Sequence, residues 1–178
     1  GGDLSRESLH GHFNGVETIG LGITSLDDQC FFVVWDLDNH VSEKSTNVNL
    51  EYAIVMENRL RDMGLQSLIE DSDGKGGIHL WVLFKHPIPA SQAYEFAKSV
   101  ASDFGEHGLE KIECFPKSPT VQNTKKRCGN YIRLPGKHHK REHWSRFRGD
   151  DDWLSMSDSV QLLLGHSGND PALVPAAA

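Results

Sequence analysis

The sequence predicts a mixed α/β domain, of the α/β or α+β kind, and three observations lead there. Apolar runs of strand length alternate with stretches of helical period through the first part of the chain. The last part carries short apolar runs set between glycine, proline and polar clusters, a β-rich pattern. At 178 residues, with 38% hydrophobic and 24% charged residues, the chain has the length and composition of a globular unit that buries its own core.

Each element follows from local pattern. Gly1-Gly2 reads as a cloning scar and residues 1–14 as a lead-in. Residues 16–23 alternate loosely and are expected to form a strand, paired with 30–35 through a turn at Asp27-Asp28. Thr46 or Asn47 can cap a helix over 48–63, with Leu50, Ala53, Ile54 and Leu60 at helical spacing and Gly64 placed to end it. Strands are expected at 66–70 and 78–85. Pro87 and Pro89 break the chain, and Ser91 opens a helix whose Ala93, Phe96, Ala97, Val100, Ala101 and Phe104 form the cleanest apolar stripe, a core face. A short strand at 111–115, extended segments at 131–134 and 144–147, and a closing helix at 157–164 complete a core over 15–165, followed by a linker-like tail at 166–178. No repeat or low-complexity segment is visible.

Composition removes several function classes. No apolar run approaches the roughly 18 residues of a membrane span, and no signal peptide is visible, so cytoplasmic residence is the default. Cys30, Cys114 and Cys128 include no C-x-x-C pair and make neither a disulfide framework nor a zinc site. The net charge of −7 argues against a generic nucleic-acid binder, yet it is unevenly spread. Between residues 125 and 148 there are nine Lys/Arg against one acid, +8, which leaves −15 for the rest. His138, His139, His143, Trp144 and Phe147 interleave that run. So lopsided a segment in an acidic protein suits phosphate.

Three clusters carry chemistry. In the first, the run Phe31-Phe32-Val33-Val34-Trp35 ends in Asp36-Leu37-Asp38. Side chains at i and i+2 of a strand share a face about 6.6 Å apart, so both carboxylates aim at one point. Anions so close raise each other's pKa unless a cation lies between them, and hard divalent ions take such ligands. The second runs Asp71-Ser72-Asp73-Gly74-Lys75-Gly76-Gly77-Ile78-His79, where glycine amides and the Lys75 charge can face an anion and His79 enters a strand. It is not a Walker loop, because Gly-Lys is not followed by Ser/Thr. The third places Glu113 inside a short apolar strand, where a shared cation or a salt bridge must offset its charge, and then Gly129-Asn130-Tyr131-Ile132-Arg133-Leu134-Pro135-Gly136-Lys137.

In this order the clusters resemble the catalytic core of the archaeo-eukaryotic primase superfamily, the primase-polymerases. The wording is most similar to the plasmid-, phage- and CRISPR- or conflict-system-associated prokaryotic branches. The resemblance runs from Gly15 to Arg148 and includes the approach Gly15-Val16-Glu17-Thr18-Ile19-Gly20. It implies a two-lobed core with an RNA-recognition-like second lobe and the site in the cleft between. By position, it implies that Asp36, Asp38 and Glu113 are catalytic ligands for two divalent ions, Mg2+ or Mn2+. It implies that Ser72, Lys75, Gly76, Gly77, His79, Asn130, Arg133 and Lys137 bind the nucleotide. Template contact falls to His138, His139, Lys140, Arg141 and Arg146. The implied activity is primer synthesis or extension on single-stranded DNA from NTPs or dNTPs, in company with a helicase or another replication or defence domain. Two departures stand out: Gly77 where many members have serine, and Glu113 where aspartate is usual. No zinc-binding element is seen.

Two rivals differ in what they explain. A haloacid-dehalogenase-type phosphatase also places Asp-x-Asp after an apolar strand, but it has Thr or Val where this chain has His40, and it leaves the Gly-Lys-Gly-Gly-x-His cluster unexplained. A non-catalytic primase-like binding module needs none of Asp36, Asp38, His79 and Glu113.

Overall fold

The computed structural model describes residues 4–39, 45–121 and 130–176, with backbone alone for 45–47. The chain is an α+β fold built on two antiparallel sheets. Its main sheet has five strands, β2 (Gln29–Leu37), β3 (Leu68–Asp71), β4 (Ile78–Pro89), β5 (Glu113–Phe115) and β7 (Arg146–Phe147), in the order β5-β2-β4-β3-β7. The second sheet is a ribbon of β1 (Gly20–Gly22) and β6 (Tyr131–Arg133).

The helices α2 (Ser45–Asp62) and α3 (Ala90–Val100) pack against each other, α2 on β4 and α3 on β2, β4 and β5. Period decides which face of each is buried: Tyr52, Ala53, Met56 and Leu60 of α2, and Ala93, Phe96, Ala97 and Val100 of α3, are all shielded. On the sheet side Trp35 is wholly buried, lies edge-on to Phe96 and donates its Nε1–H to the Ala97 carbonyl at 2.8 Å. Truncating such a residue to alanine costs about 3–5 kcal/mol. Because strand side chains alternate, the neighbours of Trp35, namely Val34 and Asp36, point to the opposite face of the sheet. That alternation frees one face of β2 for chemistry while the other anchors the helices.

Several sequence expectations are corrected. The strand over 16–23 shortens to β1 and pairs with β6, not with β2; the turn at Asp27-Asp28 forms, with Asp28 at φ 56°, but its two arms enter different sheets. β4 runs through Pro87 to Pro89: Pro87 falls where β2 and β4 slip register between Cys30 and Phe32, and Pro89 is the last residue of the strand, opposite Gln29. The lead-in contains a helix, α1 (Arg6–Phe13), held by the wholly buried His12. The His12 ring takes the Ile19 amide on Nδ1 at 3.1 Å and so donates from Nε2 to the Leu134 carbonyl at 2.9 Å. The tail beyond the closing helix α4 (Met156–Gly165) is also packed rather than loose. Asn169 is buried, takes the Gln66 amide at 2.7 Å and donates to the Leu83 carbonyl at 2.9 Å, and Val174 joins the core.

Candidate active site

Register across the main sheet builds the site. Asp36 lies opposite Glu113 on one side and His79 on the other, and His79 lies opposite Glu70. Opposed residues share a face, and neighbouring strands are about 4.8 Å apart, so Glu113, Asp36, His79 and Glu70 form one ionisable row across four strands. The next row on that face, Phe115, Val34, Trp81 and Leu68, is apolar and closes the floor. Glu113, Asp36 and His79 of this row line a cleft of about 670 Å³ that is also lined by β6, Thr18 and residues 138–141.

Glu70 was not singled out from sequence, yet it organises the row. It is wholly buried and accepts three hydrogen bonds: from His79 Nδ1 at 3.0 Å, Trp81 Nε1 at 2.8 Å and Ser145 Oγ at 2.6 Å. Burial works against the Glu70 charge, but the His79 imidazole and these donors outweigh it and hold the carboxyl below its ordinary range. Burial likewise opposes the charged imidazole of His79, and Glu70, helped by Asp36, overcomes it, so His79 titrates above its usual value. A carboxylate only accepts, so Nδ1 carries a proton and Nε2 is turned towards Asp36 Oδ1, 3.7 Å away. A sequence signal existed: Glu70 and His79 flank one glycine-rich turn in strands that pair as a hairpin.

Asp36 and Asp38 line the cleft and, with Glu113 and Lys111, a small cavity of about 60 Å³ beside it. Burial, then the charges of Asp38, Glu113 and Glu70, push the Asp36 carboxyl up against the pull of His79. A hard divalent cation suits this donor set, since it would relieve that repulsion through oxygen ligands. Among the described residues no three such groups already stand together as a ligand shell. Glu113 is half-buried and clasped by Lys111 and Lys117, each at 2.7 Å, which depress its pKa through those hydrogen bonds. Of the two ways to offset its charge, the structure shows the salt bridge.

The glycine-rich loop departs from the expected phosphate cradle. The amides of Lys75 and Gly77 donate to Asp73 Oδ1 at 2.7 and 2.9 Å, and that of Gly74 to Asp71 Oδ1 at 2.8 Å. The glycines serve this inward turn: Gly74 and Gly76 have φ of 71° and 94°, and a Cβ on Gly77 would stand 2.9 Å from the Asp73 carboxyl carbon. That close approach is the physical reason glycine occupies position 77. Ser72 and His79 line the cleft; Lys75, exposed, and Gly76 and Gly77 do not.

The basic segment divides in the same way. Asn130, Arg133, His138, His139, Lys140 and Arg141 line the cleft. Arg133 donates from Nη2 to the Ser72 carbonyl, while its Nη1 is buried with no hydrogen-bond partner among the described residues. Arg141 is paired to Asp73 at 2.7 Å. His138 and His139 stack at 4.6 Å, and burial followed by the charges of Arg133, His139 and Arg141 pushes His138 down to about 4. Lys137 and Arg146 lie outside the cleft: Lys137 pairs with Glu142 at 2.8 Å over the Trp144 ring, and Arg146 with Asp71 at 3.2 Å. Much of the segment's charge is therefore neutralised by local partners; Lys125, Lys126 and Arg127 lie outside the described residues. A buried amide pair also escaped the sequence analysis. Asn39, just past Asp38, donates to Asn49 of α2 at 3.2 Å, and Asn49 donates to the Gly76 carbonyl at 2.9 Å, which fixes the end of β2 against the loop.

A family model described as the archaeo-eukaryotic primase domain of the TOTE conflict system matches residues 2–170. The chain belongs to that family. Among solved structures, the polymerase domain of Mycobacterium tuberculosis ligase D in complex with DNA is similar, with a TM-score of 0.48 and 18% identity over 79% of this chain and 53% of that one. This primase-family domain thus spans about half the length of that chain. No curated protein matches it. Among the described residues no helix is long and apolar enough to cross a membrane.

Proposed function

We propose that this domain is a template-directed nucleotidyltransferase that makes or extends primers on single-stranded DNA from NTPs or dNTPs. The observation that carries this is the ionisable row Glu113–Asp36–His79, with Asp38 beside it, facing Arg133 across one cleft. The 3′-oxygen of the growing strand bonds to the α-phosphorus as the bond to the β-phosphate breaks and pyrophosphate leaves. Asp36 and Asp38, with Glu113 once it leaves its lysines, would hold two divalent ions, Mg2+ or Mn2+, whose charge acidifies the attacking hydroxyl and stabilises the leaving group. His79, fixed by Glu70, presents Nε2 to a phosphate oxygen. Arg133 offers its unpartnered Nη1 to the same triphosphate, a charge-assisted contact suited to that anion. Lys140 and Arg141, with His138 and His139, border the path on which template enters. The domain works as part of a larger replication or defence assembly.

The test is a gel assay for new products on unprimed single-stranded DNA, with labelled ribo- or deoxynucleotides and manganese or magnesium, beside Asp36→Ala/Asp38→Ala. Products that vanish in the folded double variant support priming. Extension of a supplied primer without unprimed synthesis means a polymerase. Retained activity in the double variant sinks the assignment. A second reading, a primase-like module that binds nucleotide without transfer, is favoured by the clasp of Lys111 and Lys117 on Glu113. Silence in both assays, with nucleotide binding indifferent to divalent metal, selects it.

A further inference from the structure

The cleft face of the β1–β6 ribbon carries side chains from only one of its strands. Gly20 lies opposite Arg133 and Gly22 opposite Tyr131, so on this face β6 contributes both residues and β1 contributes bare backbone. The alternate pair, Leu21 and Ile132, turns the other way into the core. Tyr131 uses the space the glycines leave. A Cβ on Gly20 would stand 3.2 Å from the Tyr131 Cβ, and one on Gly22 would stand 3.8 Å from its Cε1. The ring is thus supported along the glycine strand, yet Tyr131 is 50% exposed and lines the cleft. Two residues along the same face, about 6.6 Å away, stands Arg133 with its buried, unpartnered Nη1.

The geometry points to Tyr131 as the stacking platform for the base of the incoming nucleoside triphosphate, with the phosphates held at Arg133 and His79. This rests on the nucleotidyl-transfer reading and adds the group that meets the base. Every nucleobase has a π-face, so stacking on a tyrosine is indifferent to base identity. That suits a template-directed enzyme, in which pairing with the template selects the base. An aromatic on a rigid ribbon also contributes contact area at little cost in side-chain entropy.

The experiment compares wild-type protein, Tyr131→Phe and Tyr131→Ala for binding of a fluorescent 2-aminopurine nucleoside triphosphate and of inorganic tripolyphosphate, which lacks a base. Binding of a dT oligonucleotide is measured beside them. Wild-type and Tyr131→Phe proteins should bind and quench the 2-aminopurine alike. Tyr131→Ala should lose affinity for it by roughly 5- to 150-fold, the weight of one base stack, and keep its affinity for tripolyphosphate. Equal nucleotide affinity in wild type and Tyr131→Ala overturns the platform, as does a parallel loss for both ligands. A loss confined to the dT oligonucleotide also overturns it, and reassigns Tyr131 to the template. If wild-type protein binds neither triphosphate, the nucleotidyl-transfer reading itself fails, a result distinct from the others.

Discussion

Replacing Glu70 should be among the most damaging single changes in this domain, although Glu70 meets no ligand in the proposed reaction. The carboxylate is wholly buried, and of its three donors the His79 ring and the Trp81 indole are buried with it, while the Ser145 hydroxyl is half-buried. In Glu70→Ala the imidazole loses the counter-charge on its Nδ1 side and the Trp81 indole loses its acceptor, while Ser145 Oγ keeps the Gly136 carbonyl at 3.2 Å. Removing one partner of a buried pair costs about 3–5 kcal/mol. For a chain of 178 residues, at about 2–4 °C per kcal/mol, that lowers Tm by about 6–20 °C. Glu70→Gln keeps the shape: its oxygen can still accept from His79 and Trp81, and its amide can donate to Ser145. What it loses is the extra strength of a charged over a neutral acceptor, about 1–2 kcal/mol. Thermal and urea unfolding of both variants, closed into a double-mutant cycle with His79→Phe, measures the pair directly; the coupling should exceed 0.5 kcal/mol, the scatter expected of independent sites. A Glu70→Ala protein as stable as wild type, or a coupling inside that scatter, would show that the buried row does not hold as described.

Three further outcomes follow. Lys111→Ala/Lys117→Ala frees Glu113, so Mn2+ should bind about two- to fivefold more tightly, the weight of screened surface ion pairs; calorimetric titration of Mn2+ checks this, and unchanged affinity would mean the clasp does not compete with metal. His138, pushed down to about 4 by burial and by Arg133, His139 and Arg141, should titrate in NMR spectra well below the ordinary histidine value near 6.5, and Arg141→Gln should raise it. With a depressed folded-state pKa the unfolded chain binds the extra proton between about 4 and 6.5, so this group's contribution to stability falls as pH drops through that window. Gly77→Ser places a Cβ 2.9 Å from the Asp73 carboxyl carbon, which the Lys75 amide and Arg141 hold in place. The variant should lose about 1–3 kcal/mol in urea unfolding, and Asp73→Ser in the same protein should restore most of it.

The sequence by itself determined most of the elements and the chemical inventory. The apolar period of residues 93–100 sufficed for α3, because a helix that buries one face must repeat every three to four residues. Asp36, Asp38 and His79 were legible because charged groups interrupt or end apolar strands only where something offsets their cost. Pairing was not legible. Nothing local tells β1 that its partner is β6, more than a hundred residues away, rather than β2 across the next turn, since register depends on which faces find burial. The same holds for the loop at 71–77, whose glycines and lysine suit an anion by composition. Only the fold brought Asp73 over Gly77 and Arg141 onto Asp73, which turned the amides inward. Glu70 and Tyr131 show the limit most plainly. One is an acid given its place by three donors, all of which lie in other strands or segments; the other is an aromatic set on the cleft wall against glycines of a strand it meets only in three dimensions. Residue type is written in the chain, whereas solvent, partners and facing direction are set by contacts between distant segments, and these decide what each residue can do.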